Sequence, residues 1–156
     1  MRNIGKYWKV LAVLLLVPLM MRMAACSGSP QSRLKEMIEL SNKECPASID
    51  HVTSLIAIKD EGNFVTYVCQ IDEDVLDMDE MQANRAIYEQ NIKNTFHNQL
   101  TLPESTSGPF LQLVIEAGKG LRHHYVGKNS RKTLDIDITN EQMRQLAQPV
   151  DNQQKP

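Results

Sequence analysis

Two histidines and two aspartates are the residues of this chain best suited to metal binding or acid–base chemistry. His123 and His124 are adjacent, and Asp135 and Asp137 follow on the next apolar run. Imidazole and carboxylate groups bind zinc, and an imidazole beside a carboxylate can act as a general base. Successive side chains of a strand point to opposite faces, so His123 and His124 cannot converge on one ion. The sequence therefore predicts no metal site, and a surface pair of His124 with Asp135 or Asp137.

A hydrolase that uses His124 with Asp135, or with an acid from residues 72–80, is an alternative hypothesis. Such an enzyme needs a nucleophile beside the imidazole. The chain contains no GxSxG, HExxH, phosphate-loop or dinucleotide-binding motif. We therefore predict no catalytic residue and no cofactor, and we favour a non-enzymatic protein.

The acidic stretch DEDVLDMDE, residues 72–80, has the composition of a metal-binding loop. It lacks the central glycine and the closing glutamate of a helix–loop–helix calcium site. Asp77 instead precedes an apolar periodic segment, and Glu80 lies three residues later. This spacing predicts a capping box at a helix N-terminus rather than a cation site.

Residues 121–139 read as a β-hairpin that positions the histidines. With Asn129-Ser130 as its loop, the face toward the core pairs Leu121 with Ile138, His123 with Ile136, and Tyr125 with Leu134. The other face pairs Arg122 with Asp137, His124 with Asp135, and Val126 with Thr133. A slip by one residue would exchange the two faces, so one register is strongly favoured.

Residues 49–72 form a second strand pair around a predicted Glu61-Gly62 turn. In the register that this turn sets, the core face pairs Val52 with Ile71, Ser54 with Cys69, Ile56 with Tyr67, and Ile58 with Val65. The opposite face carries an apolar patch. Together with the charged residues of the other hairpin, this patch forms a predicted partner-binding surface: Leu55, Ala57, Phe64, Val68, Arg122, His124, Asp135 and Asp137.

Four segments have helical periodicity. They are residues 33–45 with Ser32 as N-cap, residues 78 to about 100 with Met81, Tyr88, Ile92 and Phe96 inward, residues 110–118, and residues 141–147 after a cap at Thr139 or Asn140. The element order is α-β-β-α-α-β-β-α. We expect an α+β fold in which helices cover one face of an antiparallel sheet, with a single domain over residues 33–147 and a disordered tail over 148–156.

The N-terminal segment is predicted to be a signal peptide. Arg2, Lys6 and Lys9 precede twelve apolar residues, Val10–Met21. Twelve helical residues rise about 18 Å, which is too short for the roughly 30 Å hydrocarbon core of a membrane. A charged start, a short apolar middle and small residues at the end are typical of secretory signal peptides.

The sequence MAAC, residues 23–26, resembles the lipobox of bacterial lipoproteins. In that class the signal peptide is cut before the cysteine, which then carries the lipid. The resemblance implies that residues 1–25 are removed, that Cys26 is lipidated, and that residues 26–32 form a short tether. No acidic residue follows Cys26 closely, unlike in the surface-displayed lipoproteins of some Gram-negative groups. We therefore expect an anchor in the outer membrane with the domain facing the periplasm.

Cys45 and Cys69 remain as a pair once Cys26 is assigned to lipid. Both fall on predicted core faces, one on a helix and one on a strand. Export to an oxidising compartment allows a disulfide between them. Two buried thiols that never meet are the other alternative, and the sequence leaves both open.

The net charge of the chain limits the class of partner that the domain can bind. The chain has 17 Lys and Arg and 19 Asp and Glu, and four of the cations (Arg2, Lys6, Lys9, Arg22) lie in the first 25 residues, which hold no acid. Residues 26–156 therefore carry 13 cations against 19 acids, a net charge of −6. This balance argues against nucleic acid as a partner. We expect a protein or another envelope component to bind the domain; self-association is a third hypothesis.

Overall fold

A computed structural model describes residues 28–149. Its helices and strands form the predicted α+β fold. The elements are α1 Pro30–Asn42, β1 Ala47–Ser48, β2 Thr53–Glu61, β3 Phe64–Ile71, α2 Met78–Ala83, α3 Arg85–Thr101, α4 Gly108–Glu116, β4 Gly120–Gly127, β5 Thr133–Ile138 and α5 Asn140–Leu146. The predicted signal peptide, Cys26 and the last seven residues of the predicted tail lie outside the described residues. No helix within residues 28–149 combines the length and apolar character needed to cross a membrane.

Helix α1 begins earlier than predicted. Its N-cap is Ser29, whose hydroxyl accepts a hydrogen bond from the backbone N–H of Ser32 at 3.2 Å. Pro30 occupies the first turn, where its fixed φ suits a helix and its missing N–H costs nothing. Ser32 is therefore inside the helix rather than its cap. The predicted inward residues Leu34 and Ile38 are buried.

The predicted helix over residues 78–100 is two helices, α2 and α3. Asn84 lies between them with φ −102° and ψ 17°, outside helical geometry. The Asp77 carboxylate caps α2 as predicted and accepts a hydrogen bond from the N–H of Asp79 at 2.6 Å, but the predicted return hydrogen bond from the Asp77 N–H to the Glu80 side chain is not formed. Thr139 caps α5, where its side chain and that of Gln142 form a reciprocal capping box.

The five strands form one sheet in the order β1-β2-β3-β4-β5. Neighbouring strands are antiparallel except β3 and β4, which are parallel. The expectation of a wholly antiparallel sheet is therefore wrong at this one junction. Parallel neighbours need a crossover connection, and α2, α3 and α4 supply it over residues 72–119.

The register of the β4–β5 hairpin is the predicted one. Leu121 pairs with Ile138, His123 with Ile136, and Tyr125 with Leu134, and these side chains lie in the core. The loop is wider than the predicted two residues, because Gly127 N donates to Lys132 O at 2.9 Å and Arg131 takes a positive φ of 60°.

The register of the β2–β3 hairpin differs from the prediction for two reasons. The turn is Gly62-Asn63 rather than Glu61-Gly62, since Glu61 pairs with Phe64. A β-bulge between Leu55 and Ala57 then shifts the register by one residue. The bulge reverses the first half of β2, so Leu55 is 2% exposed in the core while Ile56 is 38% exposed. Leu55 is therefore wrongly placed in the predicted surface.

The helices pack on one face of the sheet, called here the inner face. Its core contains apolar side chains from every helix and from strands β2 to β5, among them Leu34, Ile58, Met81, Phe96, Leu111, Ile136 and Met143. No element within residues 28–149 packs on the opposite face, called here the outer face.

Candidate binding surface on the outer face

The strand registers bring side chains of β2 to β5 together in rows across the outer face. The rows are Lys59–Thr66–Arg122–Asp137, Ala57–Val68–His124–Asp135 and Ser54–Gln70–Val126–Thr133. Every residue of the predicted partner surface except Leu55 lies on this face or at its Phe64 end. The structure therefore assembles one continuous surface from residues that are far apart in the chain.

The centre of the outer face is apolar. Ala57 lies opposite Val68, both are half-buried, and Ile56 adds an exposed aliphatic side chain at the bulge. Ile56 was missed by the sequence interpretation because nothing in the apolar run marks the position of the bulge. Ile56 thus takes the place of Leu55 in the exposed apolar patch, and such patches are typical of interaction sites.

Phe64 forms one end of this surface. The guanidinium of Arg122 lies 4.7 Å from the centre of its ring, in cation–π geometry. The ring also approaches Gly120, where a Cβ atom would come within 3.0 Å of Phe64 Cε1 and collide with the carbonyl oxygen of Ile138. Glycine at position 120 therefore leaves room for the aromatic ring beside β4.

Arg122 and Asp137 form a bidentate ion pair. Arg122 Nε donates to Asp137 Oδ1 at 2.7 Å, and Nη2 donates to Oδ2 at 2.8 Å. The hydrogen bond from Arg122 holds the pKa of Asp137 below its ordinary value. Both side chains remain about a third exposed. The pair therefore fixes the shape of this rim while leaving it accessible to a partner.

His124 and Asp135 pair as predicted, with 2.5 Å between His124 Nδ1 and Asp135 Oδ1. This contact resembles the base–carboxylate half of a hydrolytic site. Within the described residues no hydroxyl or thiol is hydrogen-bonded to His124, and no group of three metal-binding side chains exists. The hydrolase hypothesis therefore has an oriented imidazole but no nucleophile in contact with it.

The acidic stretch clamps the β4–β5 loop, a role that the sequence did not indicate. The Glu73 carboxylate accepts hydrogen bonds from the backbone N–H groups of Asn129 at 2.6 Å and Ser130 at 2.7 Å, and from the Ser130 hydroxyl at 2.5 Å. These bonds lower the pKa of Glu73. Asp79 binds Lys132 at 2.6 Å. The carboxylates thus serve structural contacts at one end of the sheet.

Both remaining cysteines are free thiols in this structure. Cys45 Sγ donates a weak hydrogen bond to the carbonyl of Ser41 at 3.7 Å, and Cys69 is fully buried. Burial raises the pKa of Cys69 to about 12 and also raises that of Cys45. A thiol with a raised pKa is a poor nucleophile. Cys45 lies beyond the end of α1 at Asn42, so it is not on that helix as predicted. A disulfide between Cys45 and Cys69 stays a prediction.

His123 lies in the core, as the hairpin register predicts. Its ring stacks against Tyr67 and Tyr125, with centroids 5.4 and 6.0 Å away, and contacts Phe96 at 5.7 Å. Neither ring nitrogen has a hydrogen-bond partner within residues 28–149. Burial lowers the pKa of His123 to about 4. It is a neutral core residue and does not belong to the outer face.

Comparison with known proteins identifies the fold but no family. No family model matches the chain, and no protein of curated function matches its sequence. Among solved structures, a Pseudomonas aeruginosa protein proposed to be secreted superposes with a TM-score of 0.59 at 12% identity, over 74% of this chain and 93% of that one. At this identity the likeness concerns the fold alone.

The pilotin of the Vibrio vulnificus type 2 secretion system is more distant. It superposes with a TM-score of 0.45 at 10% identity, over 77% of this chain and 93% of that one. A TM-score this low does not show a shared fold, so the function of the pilotin is not transferred. The chain is thus similar in fold to one protein proposed to be secreted.

Proposed function

We propose that this protein is a non-enzymatic binding module of the bacterial envelope, anchored by lipid on Cys26 in the outer membrane and facing the periplasm. The open outer face of the sheet is the observation that carries the proposal. A sheet face with no covering helix exposes an apolar centre, and such surfaces mark interaction sites. A protein partner accounts for a surface that combines aliphatic, aromatic and charged groups.

The anchor would hold this surface close to the membrane. Only Ser27, Gly28 and Ser29 separate Cys26 from α1. Extended residues span at most about 3.5 Å each, so this tether reaches about 10 Å. The fold likeness to a protein proposed to be secreted agrees with an exported domain. The domain would therefore meet partners at or near the inner surface of the outer membrane.

The partner chemistry follows from the surface and from the charge of the mature chain. A net charge of −6 disfavours nucleic acid and anionic lipid as ligands of the domain. The Arg122–Asp137 ion pair and the hydrogen-bonded pair His124–Asp135 place polar groups around the apolar centre. Interfaces between proteins have this arrangement of an apolar centre and a polar rim.

Val68→Glu tests the proposal, because it places a charge at the centre of the outer face. Gln112→Glu is the matched control, since Gln112 is exposed on α4 in the helical layer. The lipidated full-length variants serve as baits in envelope extracts, and circular dichroism confirms that each is folded. We expect Val68→Glu to lose at least tenfold of the captured partner, whereas Gln112→Glu captures as much as the wild type.

Equal capture by both variants would reject the outer face as the binding surface. If Val68→Glu fails to fold, Ala57→Lys makes the same test at the neighbouring half-buried position. Light scattering of the purified protein addresses the self-association hypothesis. A dimer that Val68→Glu dissociates would show that the face binds a second copy rather than another protein.

A further inference from the structure

The two edges of the sheet are built differently, and one of them is sealed. At the β2 edge, β1 pairs with Ser54 and Leu55. Beyond β1, the Asn42 side chain donates to Ile58 O and accepts from Ile58 N, both at 2.7 Å. An amide side chain thus imitates a neighbouring strand at the position where β1 ends. Sealing of this kind prevents another chain from pairing with an edge.

Within residues 28–149 the β5 edge has no such hydrogen-bonded cover, although α2 and α3 contact β5. Gly120 N donates to Asn63 O, and Lys128 N donates to Ile71 O. The backbone N–H and C=O groups of even-numbered β4 residues therefore point toward β3. The hydrogen bond from Gly127 N to Lys132 O shows that the backbone groups of odd-numbered β4 residues point toward β5. By the alternation of an antiparallel pair, Leu134, Ile136 and Ile138 then bond to β4.

The backbone groups of the other three residues point away from the sheet. These residues are Thr133, Asp135 and Asp137, and their outward N–H and C=O groups have no hydrogen-bond partner within residues 28–149. An open row of donors and acceptors along an edge strand is a template for one more strand.

We propose that the β5 edge binds an extended segment of the partner protein as a sixth strand of the sheet. This inference rests on the proposed function and states how the partner is held. The side chains of Asp135 and Asp137 also belong to the outer face, so an added strand would extend that face without a break. Backbone hydrogen bonds would supply affinity, and alternate side chains would supply specificity.

The edge selects the chemistry of the added strand. A side chain opposite Asp135 would lie beside a carboxylate whose Oδ1 contacts His124 and whose second oxygen has no hydrogen bond within the described residues. Asp137 already binds Arg122 through both carboxylate oxygens. Lysine or arginine suits the position opposite Asp135, because opposite charges on facing strands stabilise a pair. The intervening side chains would extend the inner face beside Leu134 and Ile136, which are buried, and should be apolar.

A second copy of this chain is a poor occupant of the same edge. An antiparallel pair of two β5 strands that aligns their outward-facing residues with the most overlap places Asp135 directly opposite Asp135 or Asp137 of the other copy. Like charges in directly opposed positions destabilise a strand pair. The occupant is therefore a strand of a different protein, with basic and apolar residues in alternation.

Peptide binding to the full-length protein in detergent micelles tests this inference. The probes are a lysine–valine alternating peptide, a scrambled peptide of the same composition, and a glutamate–valine alternating peptide. We expect the first to bind at least tenfold more tightly than the other two. Hydrogen exchange followed by NMR should show new protection at the amides of Asp135 and Asp137, which point outward in the free protein.

Two substitutions separate the backbone from the charge. Asp135→Pro removes an outward N–H that is not part of the β4–β5 ladder, so the fold tolerates it and peptide binding falls at least tenfold. Asp135→Asn keeps the N–H and should retain more binding than the proline variant. Asp135→Lys should exchange the preference, so that the glutamate–valine peptide binds more tightly than the lysine–valine peptide.

Equal binding of the alternating and scrambled peptides, or unchanged exchange at Asp135 and Asp137, would overturn strand addition. A concentration-dependent dimer that Asp135→Pro dissociates would also overturn it, because a second copy would then occupy the edge. The proposed function has a separate readout. If Val68→Glu abolishes partner capture and Asp135→Pro does not, the outer face remains the binding surface and only the added strand is rejected.

Discussion

His123 is an unusual core residue because it is fully buried and lacks a hydrogen-bond partner on both ring nitrogens within residues 28–149. An unsatisfied buried polar group costs about 1–3 kcal/mol. Stacking between Tyr67 and Tyr125 offsets part of this cost, since aromatic pairs add about 0.5–1.5 kcal/mol beyond their buried area. The histidine is therefore tolerated only in its neutral form.

The neutral state of His123 makes stability depend on pH. The pKa of His123 is about 4 in the folded protein, whereas the reference value for histidine is 6.5. Between these two pH values, the unfolded chain therefore binds a proton at His123 that the folded protein does not bind. The free energy of unfolding must then fall as pH falls from 6.5 toward 4, by about 3 kcal/mol in all. His123→Phe should abolish this contribution.

Urea unfolding of the wild type and of His123→Phe, from about pH 7 to about pH 4.5, measures the effect. Carboxylates such as Asp137 and Glu73 contribute equally to both proteins, so the difference between the two curves isolates His123. The variant should gain stability relative to the wild type as the solution is acidified. Parallel curves would show that His123 has a partner for its proton.

The two hairpins show which elements the sequence specifies well. In the β4–β5 hairpin one face is apolar and the other carries Arg122, His124 and their aspartates, so a slip would bury charge and the register is readable. In β2 both faces are apolar around Leu55 and Ile56, so the sequence pattern does not indicate which face points into the core. The β-bulge places Leu55 in the core and Ile56 outside it. Its position depends on pairing with β3 and has no signal in the local sequence.

The position of β1 and the parallel β3–β4 junction were equally unreadable. β1 spans only Ala47–Ser48, too short for a periodic pattern. The order of hairpins depends on how α2, α3 and α4 cross the inner face, a tertiary choice. By contrast, the inward positions of α3 were predicted correctly because Tyr88, Ile92 and Phe96 keep helical spacing.

At the β2 edge, Asn42→Ala should open the seal between α1 and the sheet. The substitution removes two hydrogen bonds and leaves both backbone groups of Ile58 without that partner. We expect the free energy of unfolding to fall by about 1–3 kcal/mol. The amide of Ile58 should also exchange faster with solvent.

Asn42→Asp provides the control, since a carboxylate can still accept from Ile58 N but cannot donate to Ile58 O. Its stability should lie between those of the wild type and the alanine variant. Unchanged exchange at Ile58 in Asn42→Ala would mean that another group covers this edge.

For the whole molecule, Cys26→Ser tests the anchor. Serine at position 26 cannot receive the lipid that a lipobox cysteine receives. The protein should therefore move from the membrane fraction to the soluble fraction of the envelope. Mass spectrometry should find an acylated N-terminal cysteine in the wild type and none in the variant. The folded domain should keep its unfolding free energy, because residues 30–146 carry the elements of the fold. An N-terminal Cys26 without acyl groups in the wild type would contradict lipid anchoring.

We expect the outer face of the sheet to hold the partner in the living envelope. A photoreactive amino acid at position 57, on the outer face, and at position 112, on the exposed side of α4, tests it directly. After irradiation of intact cells, we expect one discrete crosslinked adduct from position 57 and none from position 112. Adducts from position 112 alone, or the same adducts from both positions, would contradict it.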